Sequence, residues 1–218
     1  MIDAETRREI KALKLPSGRP LVICDVDEVI VRFVARLELH LAERGCWLDK
    51  QSFALNGNIR RLGSDAPLAT AEVRDLLTEF LSDHTATFDP VEGAVDALNE
   101  LGEIANVVLL TNMPRQHSAK RTENLRGHGL EQPVVTNAGY KGPAVSALMN
   151  DVEGPSVFLD DSDGNLASVR EHRPDVALIH FINDLEFAAV APEVEGAALK
   201  TSSWREAAPA IRRLIREE

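Results

Sequence analysis

Apolar residues fall into two patterns along this chain. Short continuous runs at Leu21–Cys24, 107–110 and 157–159 each stop at polar positions: Asp25, then Thr111 and Asn112, then Asp160 and Asp161. Runs of this kind, bounded by turn-forming and charged residues, read as strands buried on both faces. Weaker candidates lie at Val134–Thr136 and 176–179. Between them come amphipathic stretches at 91–101, where Val95, Leu98 and Leu101 recur at helical spacing, and at 115–127, 142–150 and 163–172. Continuous apolar strands alternating with helices predict an α/β protein, with a Rossmann-like parallel sheet covered by helices on both faces.

Residues 33–88 break that rhythm. Phe33, Leu37, His40, Leu41 and Arg44 share one helical face, a Gly/Asn turn follows at 56–58, and 72–81 reads as a further helix. No strand-like run interrupts the stretch, and it is too long for a simple crossover between parallel strands. The pattern predicts a small all-helical cap domain, residues 32–88, inserted into a core made of residues 1–31 and 89–218. A closing helix is expected over 203–218, with Ser202 or Ser203 as N-cap and Ile211, Leu214 and Ile215 facing inward. Pro209 near its middle argues against an unbroken helix.

Composition narrows the function classes. With 218 residues, 44% of them apolar and 27% charged, the chain can bury a substantial core and is not disordered. Lys and Arg number 24 against 35 Asp and Glu, a net charge of −11. Such a surface repels phosphate backbones, which excludes a nucleic-acid polymer as partner and still allows a small anion in a local pocket. Cys24 and Cys46 are too few for a disulfide framework, and no apolar run has the length of a signal peptide or a membrane span. A cytoplasmic protein without a membrane partner is expected. The six histidines show no metal-ligand spacing, and neither the dinucleotide-binding nor the P-loop glycine motif is present.

In an open parallel sheet, ligands bind beyond the carboxyl ends of the strands. The residues at those ends are Asp25 and Asp27, Thr111 and Asn112, Lys141 in the loop after the fourth candidate strand, and Asp160 and Asp161. Four carboxylates gathered there would repel one another unless a cation sat among them. A hard divalent ion, Mg²⁺ above all, suits such oxygen ligands and shares its shell with a substrate phosphate. Asp25 and Asp27, two apart at a strand end, should point to one side while Val26 faces away.

These segments resemble the four motifs of the haloacid dehalogenase superfamily. LVICDVDEVIV, VVLLTN, GYKGPAV and VFLDDSDGN occur in the family's order over residues 21–165, with the helical insertion where members carry a cap. The resemblance implies a hydrolase, a magnesium-dependent phosphatase acting on a small phosphorylated metabolite through an aspartyl-phosphate. By that likeness Asp25 is the nucleophile, and Asp27 protonates the leaving oxygen and then activates water. Thr111 with nearby amides and Asn112 holds the phosphoryl oxygens, and Lys141 neutralises charge on the transferring group. Asp25, the Asp27 carbonyl and Asp161 bind the metal, with Asp160 either ligating or orienting.

An acid at Asp27 favours phosphatase over carbon–halogen cleavage, in which halide leaves without a proton. Two positions depart from the family pattern. Glu28 stands where many members have Gly, adding negative charge near the metal, and Asn165 stands where a further Asp is common. A phosphomutase, or a phosphate-binding regulatory protein with weak turnover, remains as an alternative. Response-regulator receivers also cluster Asp, Thr and Lys, but their acidic pair comes early in the chain and no cap interrupts it. In the cap, Trp47, Asn56, Asn58, Arg60 and Arg61 could face a substrate, although the arginines read more readily as a solvated helix face and none of the five is assigned a role. A closing cap favours a small ester such as a sugar phosphate, a phosphoglycolate-like acid or a nucleoside monophosphate over a macromolecule.

Overall fold

Leu21, Val22, Ile23 and Cys24 are all fully buried because a strand lies on either side of them. In the computed structural model, which describes residues 2–150 and 152–216, this run is β1 (Leu21–Cys24), preceded by α1 (Ala4–Ala12). The chain continues through α2 (Phe33–Glu43), β2 (Cys46–Leu48), β3 (Ile59–Arg61), α3 (Thr70–His84), α4 (Ala94–Ile104), β4 (Asn106–Thr111) and α5 (Ser118–Gly127). It then forms β5 (Val134–Thr136), α6 (Gly142–Leu148), β6 (Ser156–Asp160), α7 (Asp163–His172), β7 (Ala177–Phe181), α8 (Leu185–Val190), β8 (Ala197–Thr201) and α9 (Trp204–Leu214).

Six of the strands pair in parallel in the order β5-β4-β1-β6-β7-β8. The chain winds outward from β1 through β4 to β5, then returns to β6 on the other side of β1. A doubly wound sheet opens a crevice at that reversal, beyond the ends of β1 and β6. Alternate residues of each strand feed two apolar layers. Val22, Cys24, Leu109 and Leu159 pack with α4, α9 and the inserted segment, whereas Leu21, Ile23, Leu110 and Phe158 pack with α6 and α7. The predicted α/β core with helices on both faces is the one observed.

The inserted segment differs from the expectation of an all-helical cap. Its helices α2 and α3 are present, but β2 and β3 form an antiparallel pair between them, with Leu48 opposite Ile59 and Cys46 opposite Arg61. Cys46 and Leu48 point inward and Trp47 outward, and three-residue strands are too short to carry a readable alternation. The segment shares one apolar cluster with the core, in which Phe33 meets Phe80 edge-on at 5.1 Å and stacks on Phe88 at 5.9 Å.

At the other end of the chain, α9 runs unbroken through Pro209, contrary to the expected interruption. Pro209 and Arg205, whose carbonyl loses its helical partner, both lie on the exposed side, where water replaces the missing bond. Ser203 is the N-cap, and Ile211 and Ile215 are buried, with Leu214 partly so. The last two positions of the predicted helix, 217 and 218, lie outside the described residues. Trp204 is buried at the start of α9 and donates from its indole nitrogen to the Val29 carbonyl at 2.8 Å, fastening this helix to the loop after β1. Among the described residues, no helix is long and apolar enough to cross a membrane.

Gly142 opens α6 at a point of close approach. A Cβ there would stand 2.3 Å from the Ser168 carbonyl oxygen and 2.5 Å from its hydroxyl, so α6 meets α7 at backbone distance. The contact fixes the position of Lys141, the preceding residue. Gly142→Ala is expected to cost about 1–3 kcal/mol through overpacking, read as a lowered denaturant midpoint; an unchanged midpoint would contradict a rigid contact at this place.

Candidate active site

The carboxyl ends of β1 and β6, side by side in the sheet, bring Asp25 next to Asp160 and Asp161. One carboxylate oxygen from each lies within 4.8 Å of the others. Lys141 enters from the N-cap of α6, and its ammonium donates to Asp25 Oδ1 at 2.6 Å and to Asp160 Oδ2 at 2.7 Å. All but 1% of this lysine is buried, so its charge is answered almost wholly by these carboxylates.

Asp160 is committed through both oxygens. Besides Lys141, it accepts from the Ser162 amide at 2.9 Å and the Asn165 side-chain amide at 3.0 Å, both on Oδ1. Among the described residues no hydrogen bond reaches the Asp161 carboxylate, whose main-chain carbonyl meets His180 Nε2 at 2.9 Å. Asn165 therefore has a clear purpose here: it donates to a carboxylate beside which a further Asp would add repulsion.

Electrostatics follow from this crowding. Burial pushes the Asp25 carboxyl up to about 7; Lys141 pulls against that, while Asp160 and Asp27 add repulsion. Burial also pushes Asp161 well above the ordinary range, reinforced by Asp25 and Asp160. Burial disfavours the charge on Lys141 as well, but Asp160 and Asp25 outweigh it and raise its pKa. Three buried acids around one ammonium thus resist ionising together.

Asp27 takes a different partner. The chain turns sharply after Asp25, with the amides of Ile30 and Val31 both donating to the Val26 carbonyl. Asp27 and Asp25 line the same cavity, and Val26 is buried away from it in the apolar cluster. Asp27 Oδ1, however, is paired with Arg121 of α5, a fully buried guanidinium 4.7 Å from the centre of the Phe88 ring. Arg121 escaped the sequence reading. Its signal was a charged residue on the same helical face as Asn124 and Leu125, both buried.

Glu28 lines the same cavity and is held by two backbone amides. Its backbone sits at φ +60°, in the left-handed region where glycine is favoured. Its Oε1 accepts from the Val34 amide at 2.6 Å, near the start of α2, and its Oε2 from the Asp184 amide at 3.1 Å. The two amides fix the side chain, and its negative charge, expected near the metal, adds repulsion at Asp161. Burial pushes its carboxyl up to about 7, against the pull of the Val34 amide.

Thr111 is fully buried at the end of β4, and its hydroxyl accepts from the Met113 amide at 3.2 Å. Asn112 lines the cavity and links two loops, donating to the Gly139 carbonyl at 3.0 Å and accepting from Asn137 at 2.9 Å. The cavity above these groups has a volume of about 410 Å³. Of the cap side chains singled out by sequence, none lines it. Arg60 pairs with Asp49 at 3.0 Å and Arg61 with Glu72 at 2.5 Å. Asn58 donates to the Ser52 and Ala54 carbonyls at 3.0 and 2.8 Å, shaping the loop that presents Phe53 and Leu55 to the cavity instead.

No family model matches the sequence, and a search of curated proteins finds no match. Solved structures match over most of their length. A haloacid dehalogenase-like protein of Agrobacterium tumefaciens superposes with a TM-score of 0.61 at 15% identity, covering 92% of this chain and 100% of that one. A hydrolase of the same family from Deinococcus radiodurans, with bound phosphate and sodium, gives 0.56 at 18% identity over 94% and 100%. The Bacillus subtilis hydrolase YfnB, bound to magnesium, gives 0.56 at 14% over 88% and 97%. The chain has the haloacid dehalogenase-like fold, as its motifs implied.

Asp25 holds its proton more tightly in the folded protein, at about 7, well above the ordinary carboxylate range. Stability is therefore lost as pH rises through about 7. In EDTA at pH 8, Asp25→Asn is expected to raise stability by about 1–2 kcal/mol, with the gain shrinking toward pH 5. Equal or lower stability of the variant at pH 8, measured by denaturant titration, would contradict this charge balance.

Proposed function

We propose that this chain of haloacid dehalogenase-like fold is a hydrolase, and specifically a magnesium-dependent phosphomonoesterase that works through an aspartyl-phosphate on Asp25. The observation that carries the reading is the buried Lys141 ammonium between Asp25 and Asp160, with the unpartnered Asp161 carboxylate beside them. The donor set fits a hard divalent cation: all-oxygen ligands, an excess of acids over the one ammonium, and carboxyl groups whose pKa values are raised by burial and by one another. Asp25, Asp161 and the Asp27 main-chain carbonyl would hold Mg²⁺, while Asp160, occupied by Lys141, Ser162 and Asn165, orients the site. When bound, the ion supplies neutralisation of charge on the transferring phosphoryl group. That one structural neighbour binds phosphate and sodium and another magnesium is in keeping with this reading.

In the first step an Asp25 oxygen attacks phosphorus and the ester P–O bond breaks, with Asp27 giving a proton to the departing oxygen. In the second, Asp27 takes a proton from water as the water oxygen attacks phosphorus, and the Asp25–phosphorus bond breaks to release inorganic phosphate. Lys141 offsets negative charge on the nucleophile and the phosphoryl oxygens throughout. Arg121 acts through Asp27, fixing one oxygen and leaving the other toward the cavity. Asn112 and the amides after β4 bind phosphoryl oxygens, with Thr111 bracing that turn from below.

Hydrolysis is favoured over a phosphomutase reaction because the cavity has no second place for a phosphate. Among its described lining residues Lys141 is the only cation, and it is already engaged. A small soluble ester is the proposed partner, with no role for a nucleic-acid polymer.

With Mg²⁺, 4-nitrophenyl phosphate should be turned over with release of inorganic phosphate, and Asp25→Asn should lower kcat by about 10³-fold or more. EDTA should abolish the reaction. Turnover that survives either treatment would refute the mechanism, and binding without any turnover would favour the regulatory alternative.

A further inference from the structure

The cavity over the carboxylates is divided chemically. Its polar lining side chains all come from the core at the floor: Asp25, Asp27, Glu28, Asn112, Lys141, Asp161, Ser162 and, from α7, Asn165. The wall facing them is apolar and is built from separate elements: Phe33 of α2, Phe53 and Leu55 of the loop between β2 and β3, Leu81 of α3, Met113 after β4 and Phe187 of α8. Phe53 and Phe187 meet edge-to-face at 5.3 Å, joining the insertion to the core across the mouth of the site. A phosphoryl group on the floor occupies only a small part of the 410 Å³, so the remaining volume belongs to whatever the phosphate is esterified to.

What that wall lacks is as informative. It presents no hydrogen-bonding side chain to a row of hydroxyl groups and no cation to a second anionic group. Lys50, the cation nearest Phe187 at 5.9 Å from its ring centre, is held by Glu38, Asp184 and Glu186 at 2.9, 2.8 and 3.4 Å. Arg121 pairs with Asp27 through one nitrogen and, although its Nε and Nη1 have no hydrogen-bond partner, it is fully buried and is not among the residues lining the cavity. A sugar, a carboxylate or a nucleotide phosphate chain placed here would lose its hydration without replacement, which is unfavourable. An apolar ring would instead gain by leaving water.

We infer that the substrate is the phosphate monoester of an uncharged, apolar, ring-bearing alcohol or phenol, its ring seated against Phe33, Phe53, Leu55 and Phe187. This rests on the phosphomonoesterase reading above and narrows it, against the sugar phosphates, phosphoglycolate-like acids and nucleoside monophosphates that the motifs alone allow.

The test compares benzyl phosphate with glycerol 3-phosphate, both esters of primary alcohols, so that leaving-group reactivity does not decide the result. With Mg²⁺, kcat/KM should favour benzyl phosphate by about 30-fold, the worth of burying one ring. Phe53→Asn and Leu55→Asn, made separately at partly exposed loop positions, should each narrow that ratio about fivefold or more, chiefly through KM for benzyl phosphate. In the Asp25→Asn protein, calorimetry should find benzyl phosphate bound more tightly than glycerol 3-phosphate. Equal or better turnover of glycerol 3-phosphate, or ratios unmoved in both loop variants, would overturn the inference and leave the phosphatase standing. Absence of phosphate release from both esters and from 4-nitrophenyl phosphate would overturn the two together.

Discussion

A single buried ammonium organises the polar centre of this protein. Lys141 reaches Asp25 and Asp160 at 2.6 and 2.7 Å from the head of α6, and so ties together the ends of β1 and β6 at the point where the sheet reverses its winding. Removing an ammonium from water is costly unless it is fully paired, and here two carboxylates meet it. They more than meet it: with Asp161 alongside, three acids crowd one ammonium. The same geometry that makes Lys141 acceptable makes the site incomplete, and a hard cation with an anionic substrate would restore the balance.

Support for that centre is distributed through the surrounding contacts. Gly142 lets α6 lie against α7, Asn165 and the Ser162 amide hold Asp160 in place, and Arg121 fixes Asp27 from the opposite layer. Glu28 joins the loop after β1 to the start of α2 and to the loop after β7 through two amides. Trp204 secures the same loop from α9. A site built from loops is thereby held by residues anchored in helices and strands, as positioning of a transferring phosphoryl group requires.

The parts of this arrangement visible in sequence are those with strong local signals. Leu21–Cys24 and its companions are continuous apolar runs because both faces of the sheet are covered, and the residues that end them are the ones gathered at the carboxyl edge. The short pair β2 and β3 was not visible, since strands of three residues, one carrying Arg60 and Arg61, have no period to read. Edge strand β8 and helix α1 were missed for a related reason: AALKT is only partly buried, and α1 buries little beyond Thr6. Arg121 and Asp27 are 94 residues apart, and nothing local announces such a pairing. The cap arginines are answered by Asp49 and Glu72, in keeping with a solvated face; Phe53 and Leu55, which do face the cavity, carry no polar signal that would single them out.

The claim that most needs direct proof is that Asp25 is the atom donor to phosphorus in a centre shared with a metal ion. A crystal structure of the protein with Mg²⁺ and beryllium fluoride answers it. The account predicts continuous density from an Asp25 carboxylate oxygen to beryllium, fluorines directed toward Lys141 and the amides after β4, and the metal against Asp161. Beryllium fluoride joined to Asp27 or another residue, or a metal bound away from Asp25 and Asp161, would contradict it.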